Sequence, residues 1–230
     1  MNRPDHVVVV VLAELRPLSI PWGWWRVARG QRSLRTQPGL VFAKALGSGR
    51  EGGFGLQPSA SRQGLFAVFD GEDLADDFIE RSDHVQAYRR RARELCVMKL
   101  RATSSRGSWS GHQIGVTASV PSQGPVGSLT RASIRPRRAS AFWRQSPPSE
   151  ASLEQAAGCS LAVGLGEAPV LRQATLSLWE SQSAMDAFAR SGAHLAAIHA
   201  AYDGSYFSES MFVRFVTVSL QGQWKGKPLA

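Results

Sequence analysis

Cysteine is nearly absent. Cys96 and Cys159 are the two in 230 residues, and no CxxC pair occurs. That excludes a zinc site built on cysteine pairs and suits a reducing cytoplasm, with one disulfide as the other use for two thiols. No GxSxG elbow is present to place a nucleophilic serine, and no HxH or HExxH pair to hold a metal. No apolar run approaches the ~20 residues of a membrane span. The run HVVVVVLAEL comes nearest to a leader, with Arg3 ahead of it, but Glu14 and Arg16 follow at once, so it reads as a buried strand. No nucleic-acid-binding motif is present.

What remains is ordinary globular material, 43% hydrophobic and 20% charged, with seven tryptophans and enough apolar residues for one large core or two small ones. Lys and Arg number 27 against 18 acids, a net charge of +9. A surplus of this size draws anionic membrane surfaces and acidic partners, and arises equally from an arginine-favouring genome.

The dominant signal is internal repetition. An offset of 119 lays Leu15–Trp25 on Ile134–Arg144 and Gly39–Gly47 on Gly158–Gly166. An offset of 110 lays Phe69–His84 on Trp179–His194, and one of 115 lays SWSG (Ser108–Gly111) on QWKG (Gln223–Gly226). Each copy reads as strand, Trp-bearing helix, two strands, amphipathic helix, strand. The predicted strands are Val7–Leu12, Leu40–Leu46, Leu65–Phe69 and Cys96–Ala102, then Val126–Ile134, Ser160–Leu165, Gln173–Trp179 and Met211–Ser219. The expected fold is α+β: tandem ferredoxin-like (βαββαβ) repeats, residues 1–120 and 121–230, joined as a pseudo-dimeric α+β barrel. The first copy is longer in its central hairpin, the second before its last strand, and longer loops are where a duplicated scaffold acquires function.

Few groups carry chemistry. Gly47, Gly49 and Gly52 match GxGxxG, but loop residues follow where a dinucleotide site needs a helix. Asp76 and Asp77 fall on the polar face of a helix, as solvated acids would. Arg89, Arg90, Arg91 and Arg93 read as a cationic helix end. Of five histidines, His194 and His199 fall on a predicted helix Ser183–Tyr202 but lie about 140° apart around it, so they do not share one metal. One axial histidine can hold a haem iron. A hydrogen-bonded core or surface histidine is the plainer alternative. His84 is the repeat mate of His194 and suggests a scaffold role, whereas the small residues of FARSGAHLAAI leave clearance for a flat ligand. Arg172 and Gln173 enter the strand RQATLSLW; they read as a strand-end charge, or as a contact to a propionate or to bound oxygen.

The segments LTRASIRPRRASAFWR, GLGEAPVLRQATLSLWESQSAMDAFA and YFSESMFVRF, with GLVFAKALGSGREGGFG and SWSG in the first half, resemble the spheroidene monooxygenase family of acyclic carotenoid ketolases. The resemblance spans nearly the whole chain. It implies a monooxygenase that introduces a C-2 keto group into spheroidene or a related acyclic carotenoid, with O2 as co-substrate and a ferredoxin-like electron donor. It also implies haem. For that group the residues read above offer His194 as proximal ligand and His199 second, Arg172 and Gln173 as catalytic contacts (distal or to a propionate), and Phe188 and Trp179 as pocket wall. Trp143, Trp179, Tyr206 and Phe207 are available to line a tunnel for the polyene. The implied location is the cytoplasm, with contact at the inner face of the membrane and no nucleic-acid partner. A cofactor-independent monooxygenase of the antibiotic-biosynthesis type and a non-enzymatic carrier of haem or a hydrophobic ligand are the alternatives.

Overall fold

Alternating apolar residues build most of this chain into strands. The computed structural model describes residues 5–53, 57–144, 153, 155–168, 170–190 and 206–229. Eight long strands run in chain order: β1 (His6–Leu15), β2 (Leu40–Gly49), β3 (Pro58–Asp70), β4 (Ala92–Gly107), β5 (Val126–Ile134), β6 (Cys159–Ala168), β7 (Arg172–Trp179) and β8 (Phe207–Trp224). A two-residue strand, β9 (Lys227–Pro228), folds back on β8. The long strands pair antiparallel in the order β4-β1-β3-β2-β6-β7-β5-β8, and a further β4–β8 pairing closes them into an eight-stranded barrel. Strands are longer than the sequence pattern suggests, because β4 and β8 continue beyond their own half to pair with each other.

Helices lie outside the barrel. α1 (Ile20–Arg29) follows a Pro17–Ser19 turn, α2 (Glu72–Arg81) and α3 (Asp83–Arg91) follow β3, residues 139–144 begin α4, and α5 (Gln182–Ala189) follows β7. The single helix expected after β3 is split at Ser82. Its extended backbone (ψ 137°) stops α2, and its hydroxyl accepts from Val85 N to start α3. α5 begins beside the expected start of the second amphipathic helix; residues 191–205 lie outside the described set.

The offsets found in the sequence recur as structure. Each half has the same strand order, last-first-third-second. Gly47 pairs with Gly166, its own counterpart at an offset of 119. At the other seam Cys96 pairs with Gly222 and Gly107 with Met211, two pairs that exchange under an offset of 115. Phe69 packs on Phe78 at 4.9 Å and 39°, and Trp179 packs on Phe188 at 5.2 Å and 38°.

The barrel interior is filled rather than hollow. Val8, Val10, Leu12, Phe66, Met98, Leu129, Leu176, Val213 and Phe215 converge there. Trp109 and Trp224, matched by the SWSG and QWKG segments, turn in at 1% and 3% exposure. Both cysteines are free. Among the described residues no helix is long and apolar enough to cross a membrane. After Gly47 and Gly49 comes a three-residue turn (Arg50–Gly52) and not a helix, so these glycines have no helix N-terminus to present to a phosphate.

Candidate functional site

Two faces point out from the barrel, one per half, and they are finished differently. In the first half β1 and β3 turn out Val7, Val9, Val11, Leu65, Ala67 and Phe69, each no more than 1% exposed. α2 and α3 cover them with Ala75, Phe78, Ile79, Val85 and Tyr88. In the second half the matching positions are Val126, Ser128, Thr130, Thr175, Ser177 and Trp179. Ser128, Thr130 and Thr175 are half-buried, and Ala162 and Gly164 on β6 add no bulk beside them. Among the described residues the buried apolar cluster on this side is Val126, Leu153, Trp179 and Met185. Hydroxyls on a sheet face need a partner that returns hydrogen bonds, or a surface that lets water reach them.

The layer above the first face is also filled. Arg26, 8% exposed, hydrogen-bonds His84 Nδ1 at 2.7 Å and lies 5.4 Å from the rings of both Trp22 and Tyr88. The counterparts of Trp22, Arg26 and Tyr88 in the second half are Ala141, Gln145 and Ile198, while His84 becomes His194. In sequence, three large side chains give way to smaller ones while the histidine is retained. His194 and His199 themselves lie outside the described residues.

Of the other expected site residues, the structure brings together Trp179 and Phe188. Trp179 is 1% exposed, its Nε1 donating to Ser177 Oγ at 2.9 Å. Arg172 and Gln173 stand at the opposite end of β7, about 20 Å away at the usual rise of a strand. Gln173 shares the outward face with Thr175 and Ser177 by strand alternation. It lines a cleft of about 110 Å³ with Trp24, Val27, Gly166 and Val170. Arg172 is exposed. Its counterpart Arg62 is held by Glu14 at 3.2 Å, but the residue matching Glu14 is Ser133, so Arg172 has no acidic partner among the described residues.

Three of the four aromatics expected to line a tunnel also meet. Phe142 sits 5.3 Å from Trp143, 6.5 Å from Tyr206 and 5.8 Å from Phe207. Phe142, at the centre of this group, was not singled out by the sequence, and neither were the hydroxyls of β5 and β7. Comparing the two repeats position by position would have found the hydroxyls, since Val9 and Val11 become Ser128 and Thr130.

A buried ionic group closes one end of the barrel. Arg131, 2% exposed, pairs with Glu209 and, at 3.3 Å, with Glu167. Glu167 also takes Lys44 at 2.7 Å and Trp109 Nε1 at 2.6 Å. Burial pushes the carboxyl of Glu167 up, but these donors outweigh it and hold the group below its ordinary range. Glu209 is likewise raised by burial and then lowered by Gly111 N, Ser108 and Arg131, to about 2. Asp76, expected to be simply solvated, ion-pairs with Lys99 at 2.8 Å, while Asp77 pairs with Arg81 at 2.6 Å. Arg89, Arg90 and Arg91 form the last turn of α3, and Arg93 leaves it to pair with Glu14. Among the described residues no group of three metal-ligating side chains comes together.

No protein-family model matches the chain. The fold is similar to that of an aldoxime dehydratase solved with butyraldoxime, with a TM-score of 0.58 at 10% identity over 93% of this chain and 80% of that one. In sequence the chain is 34% identical over 221 residues to the spheroidene monooxygenase of Rhodobacter capsulatus, covering 92% of this chain and 90% of the relative. It is 57% identical over 221 residues to the spheroidene monooxygenase of Rubrivivax gelatinosus, covering 96% and 86%. The filled barrel with one valine-rich and one hydroxyl-bearing outward face is thus the form taken by a member of the spheroidene monooxygenase family, to which this chain belongs.

Proposed function

We propose that this enzyme is a carotenoid monooxygenase that introduces a C-2 keto group into spheroidene or a related acyclic carotenoid, using O2 and electrons from a ferredoxin-type donor. The observation that carries the reading is the unequal finish of the two outward faces. A scaffold whose first half is packed shut has, in the second, exchanged Val9, Val11 and Leu65 for Ser128, Thr130 and Thr175. The counterparts of Trp22 and Tyr88, which cover the first face, are Ala141 and Ile198 in the sequence. The exchange removes bulk from a sheet face while the sequence keeps the histidine, as a large planar group with an axial ligand requires. We read the barrel itself as two fused ferredoxin-like units, 1–120 and 121–230; the exchanging pairs of the β4–β8 seam support this.

The residues present fit haem on that face. His194 would ligate the iron, with His199 second. Trp179 and Phe188 would wall the ring, whereas Arg172 shares the parity of the inward Ala174, Leu176 and Leu178 and so stands at the barrel end, off that face. Gln173 does stand on that face, at its rim. Haem bound there would supply the activation of O2. The chain's own part is to exclude water and to hold the polyene end, for which the Phe142, Trp143, Tyr206 and Phe207 group is the apolar wall. Two hydroxylations at one carbon followed by loss of water give the ketone.

The test is the absorption spectrum of protein purified after expression with haem supply, paired with product analysis on spheroidene. A Soret band abolished by His194→Ala, together with a ketone that needs reductant, is expected. A Soret band unchanged in His194→Ala overturns the ligand assignment. Turnover without any Soret band makes the enzyme a cofactor-independent monooxygenase, and a band without turnover makes it a carrier.

A further inference from the structure

The largest exposed apolar side chains lie on the first Trp-bearing helix and the turn before it, and that helix reaches the β2–β6 seam through Trp24. Leu18 is 99% exposed, Trp25 52% and Trp24 44%, with Val170 at 37%. Trp24 and Val170 line the same cleft, and Trp143, the repeat mate of Trp24, donates from Nε1 to the Val170 carbonyl at 2.8 Å. Both segments therefore border one surface. The acid lining that cleft, Glu167, is held by Lys44 and Arg131, and the segments around it are basic. No Asp or Glu occurs from Leu15 to Arg50, nor from Leu95 to Ser149. Within those stretches Arg16, Arg29, Arg32, Arg35, Arg137, Arg138 and Arg144 are all exposed. Six of the 18 acids, by contrast, sit on α2 and α3 as Glu72, Asp73, Asp76, Asp77, Glu80 and Asp83.

We propose that this face docks on an anionic lipid bilayer, with Leu18, Trp24 and Trp25 entering the headgroup layer and the arginines meeting lipid phosphates. Tryptophan suits that boundary because its ring is apolar and its N–H polar. The Arg29 guanidinium lies 4.3 Å over the Trp25 ring, so cation and aromatic reach the surface as a unit. Leucine and tryptophan exposed beside basic segments match a membrane interface, where apolar burial and attraction to anionic headgroups add. An acidic soluble partner would satisfy the arginines but leave Leu18 no deep layer to enter. The cleft between Trp24, Val27, Gly47 and Gly166 opens on this face. If the carotenoid reading above is right, substrate would pass from the bilayer into the protein there.

The full-length protein is sedimented with phosphatidylcholine vesicles and with vesicles that also contain phosphatidylglycerol. Binding to the anionic vesicles is expected, weakening as salt is added. Leu18→Ser/Trp25→Ser should lower the partition coefficient by at least about tenfold, since both side chains lose the burial that the membrane offers. Arg137→Glu/Arg138→Glu should lower it on anionic vesicles only. Circular dichroism checks that these surface variants are folded. Failure of the parent to bind anionic vesicles, or equal binding by the Leu18/Trp25 variant, overturns the proposal. So does a parent that ignores vesicles and instead binds an acidic ferredoxin through Leu18 and Trp25. Turnover on detergent-dispersed spheroidene is measured separately. Loss of vesicle binding in the variant with turnover intact supports the docking face, and absent turnover with vesicle binding intact counts against the reaction and leaves the docking face supported.

Discussion

Replacing Arg131 by leucine puts at that position the residue its counterpart, Leu12, already has, and so asks what the buried cation does. The side chain is 2% exposed and holds Glu167 and Glu209. Removing one partner of a buried pair typically costs about 3–5 kcal/mol, because the other charge stays behind. Here the low end applies. Glu209 keeps 25% exposure with Ser108 and Gly111 as donors, and Glu167 keeps Lys44 and Trp109. Arg131→Leu should therefore destabilise by about 3 kcal/mol, roughly 6–12 °C in Tm for a chain of this size. Adding Glu209→Gln should restore most of it, since replacing both partners is near neutral. Acid dependence separates charge from packing. Glu209 titrates at about 2 instead of its ordinary 4.5, so its contribution is complete above 4.5 and is lost as pH falls toward 2. That slope should flatten in Glu209→Gln. Urea titrations at pH 7 and along the acid limb measure both effects. If the single variant lost under about 1 kcal/mol, or the double variant were no better than the single, charge compensation at the barrel end would be the wrong explanation.

Two further outcomes follow from local geometry. Gly107 and Gly222 have φ of 79° and 99°, and a Cβ at either would fall on a backbone carbonyl, of Ser210 and of Leu95 respectively. Gly107→Ala and Gly222→Ala should each cost roughly 3 kcal/mol or more by urea denaturation, with similar values; a tolerated substitution at either would contradict the seam geometry. Burial pushes the Cys96 thiol up to about 12 and Cys159 up to about 11. A disulfide reagent at pH 8 should react slowly with native protein, at Cys159 ahead of Cys96, and rapidly with both in denaturant; fast native labelling of Cys96 would show that its strand opens.

The strands were legible because period-two alternation and the repeat offsets agree. The run Val7–Leu12 cannot be other than a strand with both faces covered, and offsets of 119 and 110 carried that reading to Val126–Ile134 and Gln173–Trp179. The break at Ser82 was not legible from periodicity, since the apolar stripe runs on through it; its Oγ cap is a tertiary outcome of packing α3 on β1 and β4. The site was half legible. Trp179 and Phe188 could be paired from Phe69 and Phe78, but the pairing of Asp76 with Lys99 joins residues 23 apart in sequence that only barrel curvature brings together. The hollow expected for a polyene is absent from the barrel's centre because inward positions such as Leu129, Leu176 and Phe215 are all large. What distinguishes the second half is written outside the barrel, in what Val9 and Val11 became.

The β4–β8 seam has a consequence for biosynthesis. β8 leaves the ribosome after the other seven long strands, and it alone joins β4 to β5. Until it arrives, a 16-residue edge carries the unpaired amides and carbonyls of β4, beside the uncovered apolar side chains of Cys96, Met98 and Leu100. A nascent chain in that state is a template for pairing with its neighbours. Ring closure between segments more than a hundred residues apart makes folding slow. Yield in the cell should therefore depend on how quickly β8 follows the seven strands before it.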